Sequence, residues 1–296
     1  TPFFFSIMTP YTILEKKQLS ENVFQMRILA PMVAAARKPG QFILLSVDAD
    51  YGERVPLTIA DADEKEGSIT IIFQKVGLTT ARLSELAVGD ALAVVLGPLG
   101  RPTHVYKAGH VVCVGGGIGV APMHPIARAF KEAGNRLTCI IGARNRQLVI
   151  MEDLMKSFAD EVVVCTDDGS YGRKALVTAP LKEMCESADK PDLVIAIGPP
   201  IMMKFCVETV RPYGVPVVVS LNTIMVDGTG MCGGCRVNVG GQTRFVCVDG
   251  PEFDGLQVDF DGMMKRLGCF KPQERRMMDH ACHLMNEAEQ RELAKK

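Results

Sequence analysis

Near the C-terminal end of the chain, a short segment carries residues with the types and spacing of metal ligands. They are Asp227, Cys232, Cys235 and Cys247, in the pattern Asp-x4-Cys-x2-Cys-x11-Cys, with Gly228, Gly230, Gly233 and Gly234 between them. Plant-type [2Fe–2S] sites have Cys-x4-Cys-x2-Cys followed by a distant cysteine, so the spacing matches with aspartate in the first ligand position. A loop around an anionic cluster must bring backbone N–H groups close to sulfide, which glycine permits. The segment therefore predicts a [2Fe–2S] site.

Other interpretations of this segment stay open: the same cluster with a different fourth ligand, a zinc site, or reduced structural thiols. A structural zinc site usually has two Cys-x2-Cys pairs or a cysteine pair with a histidine pair, whereas Cys247 stands alone with no histidine nearby. If Asp227 is a ligand, its hard carboxylate donates less covalently to iron than a thiolate does. We then expect an altered reduction potential and a more labile, pH-sensitive ligand set.

Two short motifs in the N-terminal third have the residue types that hold a flavin nucleotide. The first places Arg54, Pro56, Leu57 and Thr58 on one strand, which combines a cation for a phosphate with a hydroxyl for a flavin ring edge. The second consists of Gly77, Thr79 and Thr80 at the start of a helix, where backbone N–H groups can receive a pyrophosphate. An ordinary strand and a simple helix cap are equally consistent with these residues.

A glycine-rich turn in the middle of the chain is suited to a dinucleotide. Residues 115–122 follow a strand and precede a helix, and they contain Gly115, Gly116, Gly117 and Gly119. This arrangement lets a pyrophosphate approach the backbone, although it is not the G-x-G-x-x-G of the usual dehydrogenases. Asp168 and Gly198 also follow sheet strands, where ligands of open α/β sheets bind. Arg144 and Arg146 are candidates for a 2′-phosphate or for solvated charge, so the choice between NADH and NADPH stays open.

The elements that must position these motifs change character near residue 102. Up to that point, short β-rich runs separated by turns predict a six-stranded antiparallel barrel with one helix, over 79–86. The runs are 11–15, 23–29, 41–47, 55–59, 68–73 and 91–96. From about residue 109, apolar strands alternate with turns and helices, which predicts a doubly wound parallel sheet. Its strands are 111–114, 137–141, 162–165, 193–197 and 215–219.

We therefore expect a barrel domain at 1–102, an α/β nucleotide domain at 103–221, a cluster subdomain at 222–270 and a charged helical tail at 271–296. A formal net charge of -1 with dispersed basic residues excludes an electrostatic footprint for nucleic acid or an anionic membrane. The apolar run at 3–8 is too short to span a bilayer and lacks the basic start of a signal peptide. Cys113, Cys139 and Cys165 lie inside apolar runs as free thiols would, which favours a reducing compartment and the cytoplasm.

With these motifs in order, the sequence resembles the ferredoxin–NADP reductase superfamily, and in particular its iron–sulfur flavoprotein subunits. The segments that carry the resemblance are 54–61, 115–122, 197–204 and 225–235, within a region of about 10–270. The similar families are the small subunits of NADH-dependent ferredoxin:NADP oxidoreductase and of sulfide dehydrogenase. The electron-transfer subunits of dihydroorotate dehydrogenase are close relatives, but they normally have cysteine where this chain has Asp227. The aspartate therefore favours the ferredoxin:NADP or sulfide dehydrogenase branch.

The resemblance implies an NAD(P)H-dependent oxidoreductase subunit that carries FAD and a [2Fe–2S] cluster and exchanges electrons with a larger iron–sulfur flavoprotein subunit. It implies FAD contacts at the 54–58 and 77–80 motifs, and nicotinamide contacts at 115–119, Asp168 and Gly198. Hydride passes directly from nicotinamide to flavin in this superfamily, so no catalytic acid or base is expected. The rival hypotheses are a dihydroorotate dehydrogenase subunit, a stand-alone ferredoxin or oxygen reductase, and a zinc-binding interaction module without redox activity. The tail at 273–296 is a candidate for docking the partner.

Overall fold

The computed structural model describes residues 10–49 and 52–277. The apolar run at 3–8 and residues 278–296 of the expected tail lie outside these ranges. Helical residues 271–277 begin the tail and are the last ones described. In the described ranges, no helix is long and apolar enough to cross a membrane.

The N-terminal domain is an antiparallel barrel, as the alternating apolar runs predict. Its strands are β1 (Ile13–Ser20), β2 (Val23–Leu29), β3 (Phe42–Ser46), β4 (Val55–Asp63), β5 (Ser68–Gln74) and β6 (Val94–Leu99). They pair in the order β1-β2-β5-β4-β3-β6. A bridge between Thr12 and Ala91 brings the start of β1 beside the chain that leads into β6, so the sheet curls back on itself. The inward side chains form one apolar core, which includes Ile28, Ile43 and Phe73.

The barrel domain has two helices rather than the single one that we expected. Helix α2 (Leu78–Glu85) matches the prediction over 79–86. Helix α1 (Pro31–Ala36) was not predicted from the sequence. Proline favours the first turn of a helix, and the alanines that follow have high helix propensity. The segment is only six residues long, too short for helical periodicity to be visible in the sequence.

The second domain is built on a mostly parallel sheet with helices on both faces. Its strands are β7 (His110–Gly116), β8 (Arg136–Ala143), β9 (Glu161–Thr166), β10 (Arg173–Lys174), β11 (Leu193–Ile197) and β12 (Val217–Ser220). The helices are α3 (Val120–Glu132), α4 (Glu152–Lys156), α5 (Thr178–Glu186) and α6 (Pro200–Val210). Alternate residues of the strands enter two cores: Val112 and Val114 face α5 and α6, while Val111 and Cys113 face α3. The doubly wound prediction is confirmed.

The C-terminal part returns to the nucleotide domain instead of standing apart from it. It contains β13 (Arg236–Val239), β14 (Gln242–Phe245), α7 (Val246–Asp249), β15 (Glu252–Asp254) and α8 (Phe260–Leu267). Strands β13 and β14 form a separate hairpin, but β15 pairs antiparallel with β12 and becomes the edge of the seven-stranded sheet. The expected domain boundary between 221 and 222 stays a prediction. One strand of the expected cluster subdomain, β15, belongs to the sheet of the nucleotide domain.

The three parts are joined by specific polar contacts as well as by shared apolar packing. His124 Nδ1 on α3 is 3.0 Å from the carbonyl oxygen of Ala60 on β4. Thr103, in the linker after the barrel, donates its hydroxyl to Glu252 Oε1 at 2.6 Å. Phe42 of the barrel lies in the same buried cluster as Cys247 of the C-terminal part. The position of each part is therefore fixed by contacts with the other two.

Candidate functional site

A cleft lies where the barrel, the nucleotide domain and the start of the C-terminal part meet. It encloses about 150 Å³. The predicted sites at 77–80, at Asp168 and at the cysteines do not line it. The residues that do line it come mainly from the flavin strand β4, the turns after β7 and β11, and the segment before Asp227. They are Phe42, Pro56, Leu57, Thr58, Ile72, Ile118, Gly119, Pro122, Ile197, Gly198, Ser220, Leu221, Asn222, Met225 and Pro251. The predicted flavin strand and the predicted nicotinamide turns are thus brought to one place.

Strand β4 presents the predicted flavin residues to this cleft. Its pairing with β3 sets Pro56 opposite Leu44, Leu57 opposite Ile43 and Thr58 opposite Phe42. This register places the three residues at the mouth of the barrel, half-buried on the side that faces the nucleotide domain. Arg54 lies just before β4 and is exposed. A ligand that filled the cleft would contact the strand, and its charged end would find the cation beside it.

The predicted pyrophosphate site lies at the start of α2. Gly77 is the extended N-cap residue, and the hydroxyl of Thr80 accepts hydrogen bonds from the N–H groups of Val76 and Gly77 at 3.0 Å each. Thr80 therefore shapes the turn. Thr79 donates its hydroxyl to Glu53 Oε2 at 2.9 Å, which links the helix start to the residue next to Arg54. The two predicted flavin motifs are neighbours, with a carboxylate between them.

The glycine-rich turn after β7 needs its glycines for different physical reasons. A Cβ on Gly119 would clash with the carbonyl oxygen of Ile197 and lie 2.7 Å from Gly198 Cα, so the turn packs directly on the end of β11. Gly117 has φ +55° and faces open space, which leaves its backbone accessible. Helix α3 begins immediately afterwards at Val120. The turn therefore offers free backbone N–H groups at a helix start, as a pyrophosphate requires.

Gly198 completes this arrangement on the neighbouring strand. Strands β7 and β11 are adjacent and parallel, while β8 and β9 continue the sheet on the other side of β7. The chain thus reverses its direction across the sheet between these two strands, and such a switch point opens a crevice at the carboxyl ends of the strands. A Cβ on Gly198 would lie 3.1 Å from both the N and O atoms of Gly116. This close approach requires glycine at position 198, which lines the cleft together with Gly119.

Asp168 and the two arginines lie further along the same edge of the sheet, outside the cleft. Asp168 follows β9 and accepts a hydrogen bond from the N–H of Ser170 at 2.9 Å. Hydrogen bonds from the hydroxyl and the N–H of Ser170 lower the pKa of the Asp168 carboxyl. Arg146 stacks over the ring of Tyr171, with 5.2 Å between guanidinium carbon and ring centroid. Arg144 is exposed. These residues follow strands of the open sheet, where the prediction places the adenosine end of a dinucleotide, and that role stays a prediction.

The segment with the predicted metal ligands begins with a turn organised by Asp227. Its carboxylate accepts hydrogen bonds from the N–H groups of Thr229 at 2.9 Å and Cys232 at 2.8 Å. The bond from Thr229 is the main reason that the pKa of Asp227 is lowered, so the group is an anion at neutral pH. Gly228 and Gly230 have φ of +75° and +86°, which only glycine adopts readily. Asp227 therefore has a structural role in this turn besides its predicted role as a ligand.

The cysteines of this segment have the surroundings of iron–sulfur ligands. Cys235 and Cys247 are buried with 3.2 Å between their sulfur atoms. The N–H of Cys247 donates to Cys235 Sγ, and the N–H of Gly234 donates to Cys232 Sγ, both at 3.4 Å. Burial and the contact with Cys235 raise the pKa of the Cys247 thiol to about 12.

The chemistry of these donors fits a [2Fe–2S] cluster, because thiolates that receive N–H hydrogen bonds are its usual ligands. Within 10–49 and 52–277, no three His, Cys, Asp or Glu side chains are gathered around one point that could hold a metal ion. Cys232 is exposed while the other two cysteines are buried. The assignment of all four residues to one cluster therefore stays a prediction.

Several residues that line the cleft were not predicted from the sequence. Ser220 ends the last parallel strand, β12, while Asn222 and Met225 lie between β12 and Asp227, and Pro251 precedes β15. A polar residue at the carboxyl end of the last parallel strand was the available signal for Ser220 and Asn222. Nothing in the sequence indicated Pro251, because only the pairing of β15 with β12 brings it to the cleft.

The barrel, the switch-point cleft and the cysteine segment together define a flavin- and nicotinamide-dependent electron-transfer protein of the ferredoxin reductase type. Residues 113–208 match the oxidoreductase NAD-binding domain, and residues 222–259 match the iron–sulfur cluster binding domain of dihydroorotate dehydrogenase B. A protein of Thermotoga maritima named as a homologue of the electron transfer subunit of dihydroorotate dehydrogenase B is 47% identical, with 89% of this chain and 92% of that protein covered. The electron transfer subunit from Geobacillus thermodenitrificans is 34% identical, with 83% and 96% covered.

A solved structure of an NADH-dependent reduced ferredoxin-NADP oxidoreductase, described for flavin-based electron bifurcation, contains a chain that is 44% identical with a TM-score of 0.88. The match covers 94% of this chain and 99% of that one. This protein belongs to the family of dihydroorotate dehydrogenase B electron-transfer subunits and their homologues. The predicted family, fold, redox activity and cofactors FAD, NAD(P)H and [2Fe–2S] are confirmed. The roles of individual residues stay predictions.

Proposed function

We propose that this chain passes electrons between NAD(P)H and a larger iron–sulfur flavoprotein subunit through FAD and the cluster. The observation that carries the proposal is the shared cleft, where the flavin strand β4, the turns after β7 and β11, and the start of the cluster segment all contribute lining residues. Nicotinamide, flavin and cluster must be close for electrons to pass between them. The same chain operates in either direction.

Within the cleft, we assign Thr58 as the hydrogen-bonding partner of the flavin ring and Pro56 and Leu57 as its apolar contacts. Arg54 and the start of α2, with Gly77, Thr79 and Thr80, would hold the FAD phosphates. Bound FAD supplies the conversion between a two-electron hydride and single electrons. The residues themselves bind, orient and exclude water, and no side chain is needed to move a proton.

Residues of the nucleotide domain would hold the second substrate beside the flavin. Gly115, Gly116, Gly117 and Gly119 would receive the pyrophosphate at the start of α3, while Gly198 leaves room for the nicotinamide ring at the switch point. Asp168 would contact the adenosine end. Beyond Met225, which lines the cleft, Asp227, Cys232, Cys235 and Cys247 would ligate the cluster.

For the partner, we propose the subunit type found in NADH-dependent ferredoxin:NADP oxidoreductase or sulfide dehydrogenase. Aspartate at position 227 and the 44% identity to a chain of the former enzyme support this choice. The relatives named as dihydroorotate dehydrogenase subunits support the second candidate. Native co-purification followed by assays with dihydroorotate and with ferredoxin separates them. Free thiols throughout the described chain are consistent with the cytoplasm.

The test is a comparison of anaerobically purified variants of the full chain. We expect wild-type protein to contain flavin and iron in a fixed ratio and to reduce a dye with NADH or NADPH. The Cys235→Ser variant should lose iron and keep flavin, whereas Cys269→Ser, which alters an exposed cysteine outside the motif, should retain both. Colourless wild-type protein without flavin and iron would refute the proposal and favour a zinc site.

A further inference from the structure

The turn between Cys232 and Cys235 has both of its glycine carbonyls bound by arginine side chains. Arg236 Nη1 donates to the carbonyl oxygen of Gly233 at 3.0 Å. Arg266 Nη2 donates to the carbonyl oxygen of Gly234 at 3.1 Å. The two guanidinium groups thus hold two successive peptide units of the loop that carries the ligands.

Holding these carbonyls also fixes the direction of the N–H groups. In a trans peptide unit, the C=O and N–H bonds point in opposite directions. The unit whose carbonyl is bound by Arg236 directs the N–H of Gly234 to Cys232 Sγ, at 3.4 Å. The next unit, bound by Arg266, points the N–H of Cys235 away from that guanidinium. Arg236 therefore holds the peptide unit whose N–H faces Cys232 Sγ, and Arg266 holds the next unit, whose N–H belongs to Cys235.

The two arginines reach this turn from different parts of the chain. Arg236 is exposed and starts β13, directly after Cys235. Arg266 is partly buried in the last turn of α8, beyond the last cysteine of the motif. Helix α8 is fixed by buried Phe260 and Met263 and by Asp259, whose side chain accepts a hydrogen bond from the N–H of Gly262. Arg266 is therefore delivered to the ligand loop by a rigid element.

We propose that Arg266, assisted by Arg236, is a positioning residue that raises the reduction potential of the cluster. This inference rests on the proposed function, because it requires Cys232 and Cys235 to be cluster ligands. Reduced FAD, when bound, would supply the single electron and be oxidised by one electron itself, and no bond in the protein would form or break. The reduced cluster is more negative by one charge, so guanidinium groups and aligned N–H dipoles stabilise it relative to the oxidised cluster.

The test is a potentiometric titration of the cluster in the full chain with FAD bound, followed by its electron paramagnetic resonance signal. Arg266→Gln should leave about tenfold less cluster reduced at a given potential, which for one electron is a midpoint lower by ~59 mV. Arg266→Lys keeps the charge and loses the planar guanidinium, so we expect an intermediate shift. Arg236→Gln should lower the midpoint less, because exposed charges are screened.

The neighbouring exposed Lys265 supplies the matched control. Lys265→Gln removes the same charge from α8 without touching the loop, so its midpoint should change by less than a third of the shift in Arg266→Gln. Equal midpoint shifts in Lys265→Gln and Arg266→Gln would overturn the inference. So would an unchanged midpoint in all three variants Arg266→Gln, Arg266→Lys and Arg236→Gln. If Arg266→Gln holds no iron, the comparison of Arg266→Lys and Arg236→Gln with Lys265→Gln decides it. Wild-type protein without a cluster would refute the proposed function itself.

Discussion

Asp227 combines a predicted role as an iron ligand with an observed role as a hydrogen-bond acceptor in its own turn. The sequence spacing assigns it to iron, while its carboxylate holds the N–H groups of Thr229 and Cys232. A carboxylate has enough lone pairs for both functions. Because the pKa of Asp227 is lowered, the group is available as an anionic ligand at neutral pH.

Substitution of Asp227 separates the two functions. Asp227→Cys places a thiolate where plant-type sites have cysteine, so a cluster should assemble with altered visible and electron paramagnetic resonance spectra. Asp227→Ala removes ligand and turn acceptor together, and iron affinity should fall at least about tenfold. Asp227→Asn keeps an acceptor for the turn but is a poor ligand, so its spectrum should differ from wild type. An unaltered spectrum in the Asn and Ala variants would show that the carboxylate does not ligate iron.

The buried carboxyl of Glu252 should make the stability of the protein depend on pH, which the sequence did not indicate. Burial raises its pKa from 4.5 to about 7, although Thr103 donates a hydrogen bond to it. The unfolded chain therefore loses this proton at lower pH than the folded chain does, so the free energy of unfolding falls as pH rises from about 4.5 to 7. Glu252→Gln stays neutral and should be about 3 kcal/mol more stable than wild type at pH 8 and equal to it near pH 4.

The measurement is urea unfolding at several pH values with the FAD concentration held constant. Glu208→Gln is the control, because Glu208 is exposed on α6 and its substitution should leave the wild-type pH dependence intact. A Glu252→Gln profile parallel to that of wild type would show that Glu252 does not titrate in this range.

The residues that could be predicted from the sequence are those whose local spacing reflects their chemistry. The cysteine motif and the glycine turn are of this kind. Arg266 and Glu252 could not be found in this way, because their partners Gly234 and Thr103 are 32 and 149 residues away in the chain. Only the folded chain brings those pairs together.

At the scale of elements, the close contact between the turn after β7 and the end of β11 is open to a direct test. Gly119→Ala introduces a Cβ against the Ile197 carbonyl and Gly198. Separation of the two turns should cost about 1–3 kcal/mol of stability and weaken nicotinamide nucleotide binding. Urea unfolding and NADH titration measure the two effects.

Gly134→Ala is the matched control for this substitution. Gly134 has φ +82° and open space around its Cα, so alanine there adds backbone strain without a clash. It should cost about 1 kcal/mol and leave nucleotide binding unchanged. Equal nucleotide affinity in Gly119→Ala and wild type would contradict the role of this contact in shaping the site.

Helices and strands could be predicted where apolar residues recur at a regular spacing or where a glycine cluster marks a turn. The barrel strands and the five main parallel strands overlap the predicted apolar runs, although β1 (Ile13–Ser20) and β6 (Val94–Leu99) are displaced toward the C-terminus from the predicted 11–15 and 91–96. Helix α1 was missed because its six residues are too few for a periodic signal. The pairing of β15 with β12 was missed because a three-residue edge strand has no distinctive pattern of its own.

For the whole molecule, the decisive property is that three parts share one cleft. A flavin held by the barrel alone would be open to water and far from a fixed nicotinamide site. The contacts His124 to Ala60 and Thr103 to Glu252 fix the barrel against the other two parts. Both contacts involve a titratable group, so the cohesion of the molecule depends on pH.

The two groups should have opposite effects on stability. Burial lowers the pKa of His124, an effect that outweighs its bond to Ala60 and the nearby Asp61, and Arg128 and Arg37 add to the lowering. Nδ1 is satisfied by Ala60, whereas Nε2 has no hydrogen-bond partner among the described residues. The unfolded chain therefore takes up a proton near the ordinary pKa of 6.5 before the folded chain does. Stability from His124 is lost as pH falls below that value.

In wild-type protein, the stability lost from His124 as pH falls below about 6.5 should therefore oppose the stability gained from Glu252. His124→Asn keeps a donor for Ala60 but does not titrate, so its free energy of unfolding should rise more steeply than that of wild type as pH falls through this range. The double variant with Glu252→Gln should lose both contributions and have a flatter profile than either single variant. Urea midpoints at pH 5, 6, 7 and 8 test this, and a His124→Asn profile parallel to wild type would show that the junction between barrel and nucleotide domain carries no titrating histidine.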